Sequence, residues 1–372
     1  MDTLTLVLLL AGLLLLLLGA EVLVRGASHL AAAMRIPPLV IGLTVVAYGT
    51  SAPELAVSVS SAFSGTADLA LGNVIGSNIF NVLFILGAAA MVAPLVVQER
   101  LVRIDVPLMI GLSVLLFVLG LDGRIGRVDG ILLAAGAVTY TVLLIRAGRG
   151  AAPQGEQAEA PGAGARHWAV DLLLIAAGLG LLVLGSRWLV GGAVAVARVL
   201  GVSELIIGLT VVAAGTSLPE VATSLMAAFR GERDIAVGNV VGSNVFNILS
   251  VLGFSAVVAP DGIPVSPAAL AFDLPVMIAV AVACLPIFFT GLRIERWEGA
   301  LFIAFYGAYV ACLILAATHH DALPGFSRVM GLFVAPLTAL TLGGLALRTW
   351  FANRAAAGPG SGSNSCGTGP GA

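Results

Sequence analysis

The chain has 372 residues, 59% hydrophobic and only 10% charged, with a formal net charge of −2. Soluble domains are nearer a quarter charged, and a near-neutral chain offers no basic surface for nucleic acid. Three scattered cysteines, Cys284, Cys312 and Cys366, form no CxxC pair, which argues against a disulfide framework or a thiolate metal centre.

The apolar excess is spread along the chain in stretches long enough to cross a bilayer as helices. The first, Leu4 to Val24, lacks a basic leader and a small-x-small cleavage site, so it reads as a retained helix. Ten more follow, at about 38–63, 69–93, 104–121, 128–146, 168–190, 204–229, 235–259, 270–289, 297–317 and 326–350. Between the fifth and sixth spans lies "AGRGAAPQGEQAEAPGAGARH", a flexible linker too short for a soluble domain. The Gly/Ser-rich tail at 351–372 is low complexity and reads as disordered. All basic residues are arginine, and an outside N-terminus puts thirteen of them on inner loops and tail against five outside. That bias orients the chain with its N-terminus outside and its C-terminus in the cytoplasm.

The strongest pattern is a repeat. Residues 42–87 align without gaps on 208–253, with about 29 identities in 46 positions. Shared Thr, Ser, Pro, Glu, Asp and Asn in register exceed what two apolar stretches share by chance. Each copy belongs to a five-span unit, and five is odd, so the second unit enters from the opposite side. Inverted repeats of this kind build secondary transporters whose broken helices meet near the midplane. The expected fold is therefore an all-α polytopic membrane protein of two inverted five-helix repeats, a ten-helix core, with an eleventh C-terminal helix. The halves are 1–146 and 168–317, the cytoplasmic linker 147–167, and the extra helix 318–350.

Within the repeats, "AYGTSAPE" and "AAGTSLPE" place Glu54 and Glu220 in apolar surroundings. Pro53 lacks an N–H and clashes with the carbonyl one turn back, so carbonyls around Ala47 to Gly49 are expected to be freed. Thr50 and Ser51 precede Glu54 by four and three residues and share its helical face. Thr216, Ser217 and Glu220 repeat the pattern beside Ala213. Intramembrane carboxylates are functional by default. The all-oxygen set, without His or Cys, suits Na⁺, Ca²⁺ or Mg²⁺, and flexible geometry favours Ca²⁺ over Mg²⁺. A structural role for the two glutamates is the bland alternative.

"GNVIGSNIFN" and "GNVVGSNVFN" follow in each copy. Gly72/Gly76 and Gly238/Gly242 are spaced for close helix packing. Ser77 with Asn81, and Ser243 with Asn247, share a face and can present oxygens together. Asn73, Asn78, Asn239 and Asn244 are expected to make interhelical or backbone hydrogen bonds. Asp68, Asp234, Asp105 and Asp273 stand near helix starts and read as caps. Glu21 and Arg187 occupy aligned positions near helix ends and read as snorkelling or paired charges. "HHD" at 319–321 has too few ligands for a metal site.

These paired motifs resemble the two alpha repeats of the cation/Ca²⁺ antiporter superfamily, most closely its bacterial and archaeal sodium/calcium exchangers. The likeness covers about residues 1–317. It implies Na⁺/Ca²⁺ antiport by alternating access, with Ca²⁺ between Glu54 and Glu220. By motif position, the implied ion-lining residues are Ala47, Thr50, Ser51, Glu54, Ser77 and Asn81, with Ala213, Thr216, Ser217, Glu220, Ser243 and Asn247, the alanines through their carbonyls. It implies transported Ca²⁺ and Na⁺ but no cofactor and no catalytic residues. Several relatives, potassium-dependent exchangers among them, carry Asp where this chain has Asn247. Two carboxylates remain, which argues against potassium dependence. The short linker leaves no room for the large Ca²⁺-sensing domain of animal exchangers. H⁺ as counter-ion, or a cation channel, are the competing readings.

Overall fold

A computed structural model describes residues 3–34, 36–150, 165–201, 213–289 and 292–318, and further on 320, 322–334, 336, 343 and 344. The expected span at 204–229 is therefore described only from Ala213. The eleventh span is described only in its first part, and the centre of the linker and the tail lie outside the described residues.

The first half contains α1 (Thr3–Met34), α2 (Pro38–Thr50), α3 (Ala52–Phe63), α4 (Asp68–Val92), α5 (Leu101–Asp122) and α6 (Arg127–Gly150). The second contains α7 (Ala165–Val199), α8 (Leu218–Arg230), α9 (Arg233–Val258), α10 (Leu274–Phe289) and α11 (Arg296–Ala317). A short α12 (Leu323–Val329) follows. Among the described residues, seven helices are long and apolar enough to cross a membrane, and α2 with α3 make an eighth span bent by 45°. The chain is a multi-pass membrane protein.

Burial ranks the helices. In their most apolar windows, α4 is 78% and α9 89% buried, against 22% for α6 and 6% for α11. The two motif-bearing helices are thus the centre of the bundle. Each contains a π-helical segment that begins at its last motif residue, Asn81–Leu86 in α4 and Asn247–Leu252 in α9. Such widened turns re-phase a helix and recur at functional sites.

Two small ribbons relate the halves. β1 (Leu95–Val96) pairs antiparallel with β4 (Arg293–Ile294), and β2 (Arg124–Ile125) with β3 (Ile263–Pro264). β1 and β2 flank α5, whose 22 residues span about 33 Å, so the ribbons cap opposite ends of the bundle. Exchanging the halves turns β1 into β3 and β2 into β4, hence one ribbon into the other. A two-fold operation that swaps the ends has its axis across the helices, which is the inverted relation.

α1 and α7 are the long pair, with 32 and 35 residues. Their contact is ribbed by Gly12, Gly19 and Gly26 on one helix and Gly178, Gly185 and Gly192 on the other. The seven-residue spacing keeps each trio on one face. A Cβ at Gly12 would stand 2.6 Å from the Leu189 nitrogen, and one at Gly178 2.7 Å from that of Leu23. Only glycine permits this backbone approach. The close-packing role expected for the motif glycines holds at Gly238 and Gly242, which meet the Leu39 and Leu43 backbone, but not at Gly72 and Gly76, where an added Cβ would meet nothing within 4 Å.

Several charged residues differ from expectation. Asp68 is not a cap: Ala67 before it is already helical and no side chain caps the helix. Asp234 instead accepts from Gln98 Nε2 at 2.6 Å. Asp105 is fully buried, accepts from Tyr140 Oη at 3.2 Å and lies 3.9 Å from Arg100 Nε. Asp273 accepts from Tyr309 Oη at 3.5 Å. The helical turn already runs through the residues before Asp105 and Asp273, so both bind an outer helix rather than a helix start. Glu21 is paired as expected, with Arg25 and Arg230. Arg187, its aligned counterpart, is exposed and lines a cavity of about 400 Å³ with Gly49, Ala52 and Leu179.

Candidate ion site between the halves

The two glutamates sit just beyond the helix breaks. α2 ends at Thr50, Ser51 leaves helical geometry at φ −82°, ψ 7°, and α3 restarts with Pro53 in its first turn. The second half repeats this at Ser217 (φ −87°, ψ 8°) and Pro219. Proline suits a helix start because the first turn needs no N–H. Glu54 and Glu220 follow in the first turn of α3 and α8, each 1% exposed.

Each carboxylate is served by the opposite half. Ser51 Oγ donates to Glu220 Oε1 at 2.9 Å, and Ser217 Oγ donates to Glu54 Oε1 at 2.8 Å. The Ser217 and Ser77 hydroxyls lie 3.2 Å apart. The asparagines behind them also cross over. Asn73 Nδ2 donates to Ser58 Oγ and to the Glu54 carbonyl, at 2.9 and 3.3 Å. Asn239 Nδ2 does the same to Ser224 Oγ and the Glu220 carbonyl, at 2.9 and 3.5 Å. Their free oxygens accept from the other half: Asn239 Oδ1 from Thr50 at 3.1 Å, and Asn73 Oδ1 from Thr216 at 3.5 Å.

A second crossing lies on α4 and α9. Asn81 Nδ2 donates to Asn244 Oδ1 at 3.0 Å, and Asn247 Nδ2 donates to Asn78 Oδ1 at 3.1 Å. Asn78 and Asn244 donate to each other's backbone carbonyls, both at 3.4 Å. The amide donors are thus consumed within the protein. Four buried oxygens at two symmetric pairs of positions are left without a hydrogen-bond partner: Glu54 Oε2, Glu220 Oε2, Asn81 Oδ1 and Asn247 Oδ1. Buried polar atoms are almost always paired. Acceptors that lack donors on both sides of a two-fold form a lining suited to a cation. Among the described residues no cluster of three or more His, Cys, Asp or Glu exists, so any cation here takes its further ligands from hydroxyl, amide or carbonyl oxygens.

Twelve residues were expected to line this place. Glu54, Glu220, Ser51, Ser217 and Ser77 are brought together in one bonded cluster. Asn81 and Asn247 are linked across α4 and α9, and Ser243 Oγ is buried and unpaired. Thr50 and Thr216 direct their hydroxyls at Asn239 and Asn73. The expected free carbonyl at Ala47 is corrected: it accepts from Ser51 N–H at 3.0 Å, with Thr50 Oγ1, whose proton goes to Asn239, 3.4 Å away. The break is gentle enough to keep that bond. Pro219 faces the carbonyl of Gly215 one turn back, and Ser186 Oγ donates to it at 2.7 Å. For Ala213 only the backbone is described, at the start of a short helical turn. Ser58 and Ser224 were missed by the sequence reading, although their repetition at the common offset of the two copies is visible in it.

The sodium/calcium exchanger protein family matches residues 4–146 and 170–315. A putative antiporter CaxA from Alkalimonas amylolytica is 42% identical over 307 residues, 80% of this chain and 95% of its own. The sodium/calcium exchanger MaX1 from Methanosarcina acetivorans is 31% identical over 355 residues, 84% of this chain and 99% of its own. A solved structure of the sodium-calcium exchanger NCX_Mj, soaked with zero Na⁺ and Ca²⁺, matches with a TM-score of 0.73 at 30% identity. That match covers 84% of this chain and 100% of the other. With nearly all of both halves matched, the chain belongs to the sodium/calcium exchanger protein family.

Proposed function

We propose that the protein is a Na⁺/Ca²⁺ antiporter of a bacterial inner membrane, with its N-terminus outside and its C-terminus in the cytoplasm, extruding Ca²⁺. The observation that carries this reading is the set of unpaired buried oxygens on Glu54, Glu220, Asn81 and Asn247. Two buried carboxylates without a counter-charge are costly, and one Ca²⁺ neutralises both. Ca²⁺ accepts about six to eight oxygens in flexible geometry, and hydroxyls of Ser51, Ser217, Ser77 and Ser243 retain lone pairs for it. The Thr50 and Thr216 hydroxyls and the Ala213 carbonyl stand next to these groups in sequence and serve Na⁺ or Ca²⁺ in other states of the cycle, whereas the Ala47 carbonyl is engaged by the Ser51 N–H. Sodium ions use overlapping oxygens, so the two substrates exclude one another and take turns. Because each carboxylate is hydrogen-bonded from the opposite half, movement of one half against the other opens the site to either side in alternation.

Purified protein in proteoliposomes tests this. An outward Na⁺ gradient is expected to drive Ca²⁺ uptake, and a pH gradient alone is expected to drive none. Uptake driven by pH alone assigns H⁺ as counter-ion, and Ca²⁺ flux that needs no counter-gradient assigns a channel. Either result overturns the sodium reading.

A further inference from the structure

Tyr48 lies in α2 between Ala47 and the Thr50–Ser51 pair. Its hydroxyl is 2.5 Å from Thr141 Oγ1 on α6. Thr141 has one hydroxyl proton and gives it to the Ala137 carbonyl at 2.8 Å, so Tyr48 is the donor. The Tyr48 ring meets Phe246 on α9 with centroids 4.1 Å apart, and Phe246 immediately precedes Asn247. One side chain therefore joins the first broken helix to an outer helix and to the central helix of the other half.

The inversion-related place is built differently. Ala214 stands where Tyr48 stands in the first half, and Val310 of α11 where Thr141 stands in α6. The aromatic there belongs to the outer helix. Tyr306, the counterpart of Ala137, packs on Phe80 with centroids 5.1 Å apart, and Phe80 immediately precedes Asn81. Both phenylalanines keep an aromatic neighbour, but only Phe246 draws it from a broken helix.

We propose that Tyr48 is a positioning residue for the Thr50–Ser51 side of the ion site, acting through Thr141 and Phe246, and that the second half lacks this tie. The inference rests on the ion-site reading above. Ser51 reaches Glu220 only if the break at Ser51 is held in place, and Tyr48 is the polar side chain that fastens the turn before it to α6. The second half is fastened differently, by Ser186 Oγ of α7 donating to the Gly215 carbonyl at 2.7 Å.

The test measures Na⁺-driven Ca²⁺ uptake by the full chain in proteoliposomes, alongside amide hydrogen exchange of peptides from 44–52 and 213–217. Tyr48→Phe and Thr141→Val are each expected to raise the KM for Ca²⁺ by about fivefold, the size of one lost hydrogen bond, with Vmax within about twofold. Exchange should quicken in 44–52 and stay unchanged in 213–217. Thr141→Ser keeps the acceptor and should behave as wild type. The proposal is overturned if KM stays within twofold, if Vmax falls while KM holds, or if Thr141→Ser is as impaired as Thr141→Val. Should the wild-type protein take up no Ca²⁺, the ion reading fails, and unchanged exchange in 44–52 would still overturn the tie.

Discussion

Glu54→Gln and Glu220→Gln are each expected to abolish Na⁺-driven Ca²⁺ uptake, and by a similar factor. The substitution keeps the shape and one carbonyl-type oxygen, so the break, the packing and the serine donors survive. What goes is half of the negative charge that faces the cation. Truncating one partner of a buried charge pair costs about 2–5 kcal/mol, which is roughly 30- to 5,000-fold in affinity. Similar losses follow from the geometry, because each carboxylate is 1% exposed and accepts one serine hydroxyl from across the two-fold. Ca²⁺ dependence of uptake at saturating Na⁺ gradient measures both. Retention of wild-type uptake in one variant would mean that the carboxylates do not share an ion.

Gly242→Val is expected to damage folding more than any exposed glycine change. A Cβ at Gly242 would stand 2.8 Å from both Cα and the carbonyl oxygen of Leu43, and 2.9 Å from the Ala47 Cβ. Those are backbone and first-carbon atoms, which no rotamer change moves aside. α9 would have to leave α2 beside the very residues that position Ser51. Overpacking of this kind costs about 1–3 kcal/mol and sometimes more. The thermal midpoint of the purified protein should fall clearly, with loss of the monodisperse peak in size exclusion. Gly111→Val, at an exposed position with nothing near its added Cβ, should leave the midpoint almost unchanged.

Much of the fold is legible in the residues because the gene carries it twice. A gapless 46-residue repeat and an odd number of spans per unit lead to the inverted relation that the β1–β4 and β2–β3 ribbons display. The chemistry of the site is legible for the same reason: Glu, Ser and Asn recur at one offset. The pairing is not. Spacing puts Ser51 and Glu54 on one helical face but does not tell which carboxylate the serine serves, because the helix breaks at Ser51. Out of helical register, Ser51 turns to Glu220 and Ser217 to Glu54. Nor does spacing tell that Asn81 and Asn247 spend their amide donors on Asn244 and Asn78, which is what leaves their oxygens bare. The aspartates mislead because a carboxylate near an apparent helix start looks like a cap, whereas Asp105 and Asp273 are bound by tyrosines some 35 residues away. The glycine ribs of α1 and α7 were there to be read, since they too recur at the offset of the repeat.

Calorimetric titration of the purified protein with Ca²⁺, repeated at rising Na⁺ with choline holding ionic strength, puts the shared site to its most direct test. One Ca²⁺ per chain should bind, its apparent Kd should climb with Na⁺ without a plateau, and binding should vanish in Glu54→Gln and in Glu220→Gln alike. A second independent Ca²⁺ per chain, or an affinity indifferent to Na⁺, would contradict a single cage of oxygens that the two ions occupy in turn.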